Sequence, residues 1–399
     1  MMNTALVEWM RIKVEARKDR TNQPCPQLAQ LTIVIPSFCR QEYLLRQLAY
    51  WAYSDATIII IDGSPTPLEV SVMDLISGVP NVQYLSDVDS YINRIRKASK
   101  LIKTPYAMCL ADDDIFLMGG LCLAIDNLNQ EGTVVACMGQ AMAVEFDNTK
   151  KLPYIFPYGD SLENYQVKHL DPAKRIRIGI DKYRSATSYA VFRTATFKEV
   201  WSRLGANSCL TATEYEHAIT TYMLGDLATS SGVYWLRSFE CEPVDSVIDG
   251  TRKTDFHAWW TQQDFREERE AFVTRLAAKL GSSASLSERD AREVILEVIG
   301  YILVGRHTGL MNESLSITAF ALVGNWIKSF SSLHLYFIKF KSTGLGRVLR
   351  NTIMARIRGA KTVAGAITKL GMTDQTFSEL RAVLLFISEF HATLELTEN

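Results

Sequence analysis

The chain of 399 residues is 47% hydrophobic and 22% charged, a globular composition long enough for one large domain and a smaller second one. Its 43 basic and 44 acidic residues nearly cancel to a net charge of -1, which leaves no global field to attract nucleic acid. The opening stretch carries Glu8, Arg11 and Lys13 among its apolar residues, which excludes an ordinary signal peptide, and no apolar run reaches the roughly 20 residues of a membrane span.

Residues 1–30 read as an N-terminal helical extension. From 31 to 115, short β-rich runs alternate with helical patterns, as in βαβ units sharing a parallel sheet. LTIVIP (31–36) predicts a buried strand, QEYLLRQLAYWAYS (41–54) a helix, and TIIIIDG (57–63) a second buried strand ending in turn residues. A helix over about 66–77, a strand at NVQYL (81–85), a helix over 90–102 and the segment YAMCLADDD (106–114) continue the alternation. Farther on, strands are expected at 133–145, 188–194 and 232–238, with a helix at EYEHAITTYMLG (214–225) between the last two. From 263 onward the pattern is helical, broken at 281–285, 308–314 and 342–346. The seven cysteines show no CxxC spacing and several sit in apolar runs, which points to reduced thiols and a cytoplasmic compartment.

In open α/β sheets ligands bind beyond the carboxyl ends of the strands. Three strand ends carry suitable residues: Pro36, Ser37, Phe38 and Arg40; Asp62, Gly63 and Ser64; and Asp112, Asp113 and Asp114. Three consecutive carboxylates repel one another unless a cation neutralises them, and Mg²⁺ or Mn²⁺ takes one or two carboxylates together with phosphate oxygens. The plain alternative is a solvated acidic turn or a helix cap.

These segments resemble glycosyltransferase family 2-like proteins. LTIVIPSFCRQEYLLRQL is similar to that family's opening strand and helix, IIIIDGSP to its second strand, and TPYAMCLADDDIFLMGGL to its DxD segment. The resemblance implies a GT-A (Rossmann-like) fold, a mixed, mostly parallel sheet flanked by helices over 31–262, with an α-helical C-terminal region over 263–399. It also implies a nucleotide-diphosphate sugar donor, UDP-sugar favoured, in which Asp62 holds the base, with Pro36, Ser37, Phe38, Arg40 and Ser64 lining the same pocket. Asp112 and Asp114 would hold Mn²⁺ or Mg²⁺ and Asp113 the donor ribose or sugar. The helix from Tyr91 to Lys97 corresponds to the family's donor-contacting helix and adds Arg94 and Lys97. YRSATSYAVFRT (183–194) resembles the acceptor-side strand. TEYEHAITTYMLGDLATSSGVYWLRS resembles the helix bearing the general base, for which Glu214 comes first and Glu216 second; acidic residues also sit at helix starts for the macrodipole alone. Where relatives place a metal-binding His after the closing strand, this chain has Phe239 and Glu240. His257 would serve instead, with Arg252 and Lys253 on the diphosphate, or would be a packing residue beside Trp259 and Trp260. His217 reads as structural.

Between Glu313 and Asp374 there is no acidic residue, whereas nine Lys and Arg from Lys328 to Lys369 fall there among aromatic residues from Trp326 to Phe340. This mix suits an anionic membrane surface through 326–369 and a lipid-linked acceptor, or a helical domain packed on the core or on a second subunit as a homo-oligomer. The sequence reading is a metal-dependent, inverting glycosyltransferase, cytoplasmic or peripheral on the membrane, acting on a saccharide or lipid-linked acceptor hydroxyl. Two alternatives stand beside it: a non-catalytic nucleotide-binding scaffold, and a sugar-phosphate nucleotidyltransferase, whose usual glycine-rich opening loop PSFCRQEY lacks.

Overall fold

The computed structural model describes residues 3–18, 25–147, 151–158, 162, 165–181, 183, 185–240, 255–304 and 373–395. The isoleucine run of β2 (Thr57–Asp62) is buried on both faces, which requires layers above and below it. It lies between β1 (Leu31–Ser37) and β3 (Val82–Ser86), both parallel to it, and β4 (Tyr106–Cys109) joins the other edge of β1, also parallel. The sheet then becomes mixed. Its full order is β3-β2-β1-β4-β8-β6-β9-β5, with β7 on β6: β5 spans Ile115–Phe116, β6 Val134–Asp147, β7 Leu152–Pro157, β8 Val191–Arg193 and β9 Asp226–Ser238. β8, β5 and β7 pair antiparallel with their neighbours, so six of the nine strands run one way. This is a mixed, mostly parallel sheet, with its helices flanking it.

The connecting helices follow the expected periods. They are α2 (Gln41–Trp51), α3 (Val70–Ser77), α4 (Tyr91–Leu101), α5 (Met118–Gln130), α6 (Pro172–Asp181), α7 (Thr194–Arg203) and α8 (Leu210–Leu224). α5 lies tight on β9 because Gly120 has no Cβ; one there would stand 2.2 Å from the Val233 carbonyl. The N-terminal helix α1 (Thr4–Lys18) buries Leu6, Met10 and Val14, a helical stripe, against α2. The later helices are α9 (Phe256–Thr261), α10 (Arg266–Ala284), α11 (Glu288–Val304) and α12 (Asp374–Glu395). α10 packs on α8 and α6, and α12 packs on α1, α5 and β7. Met1–Val304 and Leu370–Asn399 form one compact unit. The other, Gly305–Lys369, lies outside the described residues, as does the basic and aromatic stretch 326–369. No described helix is long and apolar enough to cross a membrane.

The cysteines depart from the sequence reading at one pair. Cys25 and Cys122, 97 positions apart, are joined as a disulfide, whereas Cys39, Cys109 and Cys137 are free thiols. The turn at Leu28–Gln30 packs against α5, where Gln27 donates to Asp126, and this long-range contact brings the two thiols together.

Candidate active site at the carboxyl edge of the sheet

The chain runs β1 to β2 to β3 in one direction across the sheet and then returns to place β4 on the far side of β1. The strand order therefore reverses between β1 and β4, and a crevice opens beyond their carboxyl ends. Strand register sets the residues there: Ser37 pairs with Asp62, Asp62 with Ser86, and the Leu110 amide donates to the Val34 carbonyl. Three of the predicted polar ends are thus neighbours.

Ser37 Oγ donates across the crevice to Asp112 Oδ2 at 2.8 Å. The buried Arg40 Nη1 lies 3.3 Å from Asp112 Oδ1 and 3.1 Å from Asp113 Oδ2, bridging two carboxylates. Asp114 faces inward: Trp235 Nε1 donates to its Oδ2 and the Ser238 amide to its Oδ1, both at 2.8 Å, and Arg237 stands 3.8 Å away. Burial, then the neighbouring Asp113 charge, pushes Asp112 up to about 6 and Asp114 up to about 7, with Arg40 and Arg237 opposing.

α2 holds the main chain of this turn. Gln47 Nε2 donates to the carbonyls of Asp112 and Asp114 at 2.8 and 2.6 Å, Arg46 Nη2 to that of Asp113 at 2.6 Å, and Tyr50 to that of Phe116 at 3.0 Å. Tyr50 lies one turn beyond the adjacent Arg46 and Gln47, so one face of α2 clasps one extended segment. Local pattern predicts α2 only as a helix, with no role for its polar residues. The available signal was the pair Arg46 and Gln47 inside an apolar stripe.

Asp62 is fully buried; it accepts from the Ser64 amide at 2.9 Å, Ser64 Oγ at 2.5 Å and Tyr84 Oη at 2.9 Å. Arg94 passes beneath Gly63 and donates from Nη1 to the carbonyls of Ser37 and Ile61 and from Nε to that of Asp89. Its bonds go to main chain, so it braces the pocket floor. A Cβ at Gly63 would lie 2.5 Å from Arg94 Cζ. Pro36 and Phe38 are half-buried at the end of β1. Lys97 sits farther out, half-exposed and paired with Asp87 and Asp89 at 2.6 and 3.2 Å.

The two glutamates of α8 separate. Glu216 is buried and accepts from the Gly205 amide, Asn207 Nδ2 and Arg275 of α10 at 2.8–3.2 Å. Glu214 is half-exposed, and its charge is felt by Tyr91 and by Tyr189, which also feels Asp113 and Asp114. Tyr189 thus lies near both Glu214 and the acidic turn. His217 is buried against Phe192 and Trp201, and both its ring nitrogens lack a hydrogen-bond partner among the described residues. His257 is on the exposed face of α9, whose Phe256 and Trp259 pack inward; no bond among the described residues joins it to the acidic turn. Arg252 and Lys253 lie outside the described residues.

Glu240, after the closing strand, is fully buried. It pairs with Arg46 at 2.8 Å and with His391 Nε2 of α12 at 2.6 Å, and accepts from Ser238 Oγ at 2.9 Å. A continuous chain of bonds therefore runs from α12 through Glu240 and Arg46 to the Asp113 carbonyl.

The all-oxygen donor set of the acidic turn, with two carboxylates raised by burial, fits a hard divalent ion. Among the described residues no group of three or more His, Cys, Asp or Glu that could hold a metal ion is gathered.

Fold and site together define an α/β protein that gathers acidic, basic and hydroxyl groups at a topological switch point. No protein-family profile and no curated protein matches the chain. Among solved structures it is similar to S. aureus TarS 1-349 in complex with UDP-GlcNAc, with 13% identity over 70% of this chain and 73% of that one and a TM-score of 0.48. It is also similar to TarS 1-349 without a stated ligand (12% identity, 71% and 75% covered, TM-score 0.45) and with UDP (11%, 72% and 94%, 0.41).

Proposed function

We propose that this chain is a glycosyltransferase that moves a sugar from a nucleotide diphosphate, UDP favoured, to an acceptor hydroxyl with inversion. The observation that carries this reading is the grouping at the β1/β4 switch point of Ser37, Arg40 and Asp112–Asp114, with Tyr189 near enough to feel both the charge of Glu214 and that of the acidic turn. Asp62, with Ser64 and Tyr84, offers a fixed polar surface to the base. Arg40 places a cation where diphosphate charge would lie, and Ser37 orients Asp112. Asp112 and its neighbours Asp113 and Asp114 would hold Mg²⁺ or Mn²⁺, whose contribution is to neutralise the departing diphosphate. Glu214 accepts the acceptor hydroxyl proton as that oxygen bonds to the anomeric carbon and the carbon–oxygen bond to diphosphate breaks. Glu216, bound by Arg275, Asn207 and Gly205, is unsuited to that role.

One observation favours a second reading. Arg40 already neutralises Asp112 and Asp113, and both Asp114 oxygens accept protein hydrogen bonds, as in a metal-free, non-catalytic nucleotide binder. Thermal shift against nucleotide diphosphates and nucleotide-sugars, with and without Mn²⁺, separates the two, because a ligand of the folded state raises Tm by mass action. A Mn²⁺-dependent shift that Asp112→Asn with Asp114→Asn abolishes is the expected result. A shift indifferent to Mn²⁺ and to both substitutions favours the binder, and no shift with any nucleotide removes both readings.

A further inference from the structure

One face of the β7-β6-β9 part of the sheet carries a row of aromatic rings that the site described above does not use. Cross-strand register places Tyr154 opposite Glu145, Phe156 opposite Ala143, Ala143 opposite Arg237 and Ala141 opposite Trp235, and directly opposed residues share a face. The small Ala141 and Ala143 lie between ring-bearing strands. α12 covers the other face, where Phe146 stacks on His391.

Ring centroids step along this face without a break: Tyr154 to Phe156 5.9 Å, Phe156 to Phe239 6.0 Å, Phe239 to Tyr158 6.2 Å, Tyr158 to Trp235 5.2 Å and Trp235 to Tyr189 4.7 Å. Exposure is greatest at Tyr154 and Phe239 in the outer half of the row and least at Trp235. Tyr154 is 44% and Phe239 48% exposed, Phe156, Tyr158 and Tyr189 are half-buried, and Trp235 is fully buried with its indole N–H on Asp114. The row therefore leads from solvent to the acidic turn and, at Tyr189, to the neighbourhood of Glu214.

We propose that this row is the acceptor subsite and that its occupant is a saccharide chain, an inference that rests on the glycosyltransferase reading. A pyranose presents C–H groups on one face and hydroxyls around its rim. The negative face of an aromatic ring attracts the first, and polar groups at the ring edges bind the second. The row supplies both. Tyr154 Oη donates to Glu145 at its outer end, and Arg237 lies over the Trp235 ring at its inner end. An acyl chain would require a continuous apolar trough, which a carboxylate at one end and a guanidinium at the other interrupt. The ring steps are on the scale of one sugar unit, so successive residues of a chain meet the exposed and half-buried rings Tyr154, Phe156, Phe239 and Tyr158, the buried Trp235 backs the inner end, and the terminal hydroxyl is directed toward Glu214.

The test is isothermal titration of the full chain with short cello-, chito-, manno- and malto-oligosaccharides, beside Phe239→Ala, Phe156→Ala and Phe239→Trp. Wild type should bind at least one series, the alanine variants about tenfold more weakly, and Phe239→Trp close to wild type. The nucleotide thermal shift should be the same in all four proteins. Wild type binding none of the sugars, equal binding by the alanine variants, or recruitment to phospholipid vesicles through these rings each overturns the proposal. Nucleotide binding without saccharide binding sinks the subsite and leaves the transferase reading standing. Saccharide binding through these rings without any nucleotide shift keeps the platform and sinks the transferase reading.

Discussion

Glu214 and Glu216 stand two positions apart on α8 and meet opposite surroundings. The first is half-exposed toward Tyr189; the second is enclosed with Arg275, Asn207 and the Gly205 amide as partners. A general base must reach solvent-delivered substrate, whereas a carboxylate accepting several hydrogen bonds is a structural tie. Glu214→Gln is expected to lower kcat by at least about a hundredfold with the nucleotide thermal shift unchanged. Glu216→Gln should instead cost about 2 kcal/mol of stability, because it weakens a buried charged hydrogen-bond network, and should leave kcat close to wild type in the folded fraction. Urea unfolding and sugar-transfer rates, measured on both variants, check the pair. The sequence orders the two only through resemblance. Nothing in TATEYEHA says which side of the helix meets α10, since helical period orders faces without saying what covers them.

At the scale of elements, α2 and α12 decide the shape of the acidic turn. α2 holds its carbonyls through Arg46, Gln47 and Tyr50. α12 reaches the same turn twice: through His391, Glu240 and Arg46, and through Glu379, which accepts from the amides of Met118 and Gly119 at the start of α5. The ion pair of Arg46 and Glu240 is wholly buried, and Phe390 and Tyr43 lie over the guanidinium. Burial opposes charge on Glu240, but Arg46 and the bond from His391 outweigh it and draw its carboxyl down to about 2. A depressed carboxylate adds stability above its unfolded pKa, and that contribution is lost as pH falls from about 4.5 toward about 2. Glu240→Ala strands a buried guanidinium and should cost about 3 to 5 kcal/mol at neutral pH, read from the urea midpoint. Its Mn²⁺-dependent nucleotide shift should shrink as well, because Arg46 would no longer be held on Asp113.

For the whole molecule, His217 sets a pH limit on stability. Burial between Phe192 and Trp201 lowers its pKa from 6.5 to about 3, so the folded state keeps the ring neutral. Below pH 6.5 the unfolded chain binds a proton that the folded chain refuses. Stability is therefore full above that pH and falls as pH drops toward about 3. Between pH 7 and pH 5 this one group should remove about 2 kcal/mol. His217→Leu should flatten that part of the pH profile relative to wild type, and urea titrations of both proteins at the two pH values provide the comparison.

Local pattern was enough to read the strands at 31–36, 57–63 and 81–85 and the helices between them, because an apolar period is a property of neighbouring residues. It also marked the strand ends where polar groups gather, since parallel strands place their carboxyl ends on one edge. β5 has two residues and carries no period of its own, and β7 lies in a stretch that reads as loop. Only their partners β9 and β6 make them strands. The clasp of Arg46 on Glu240 spans 194 positions, and that of His391 on Glu240 spans 151. The aromatic row draws on three separate segments. The sequence by itself determined the elements that carry a period of their own and which of their ends are chemically equipped. Tertiary structure alone decided which charges pair, which of the two glutamates of α8 is enclosed by α10 and which rings stand in line, because those depend on contacts that no local period records.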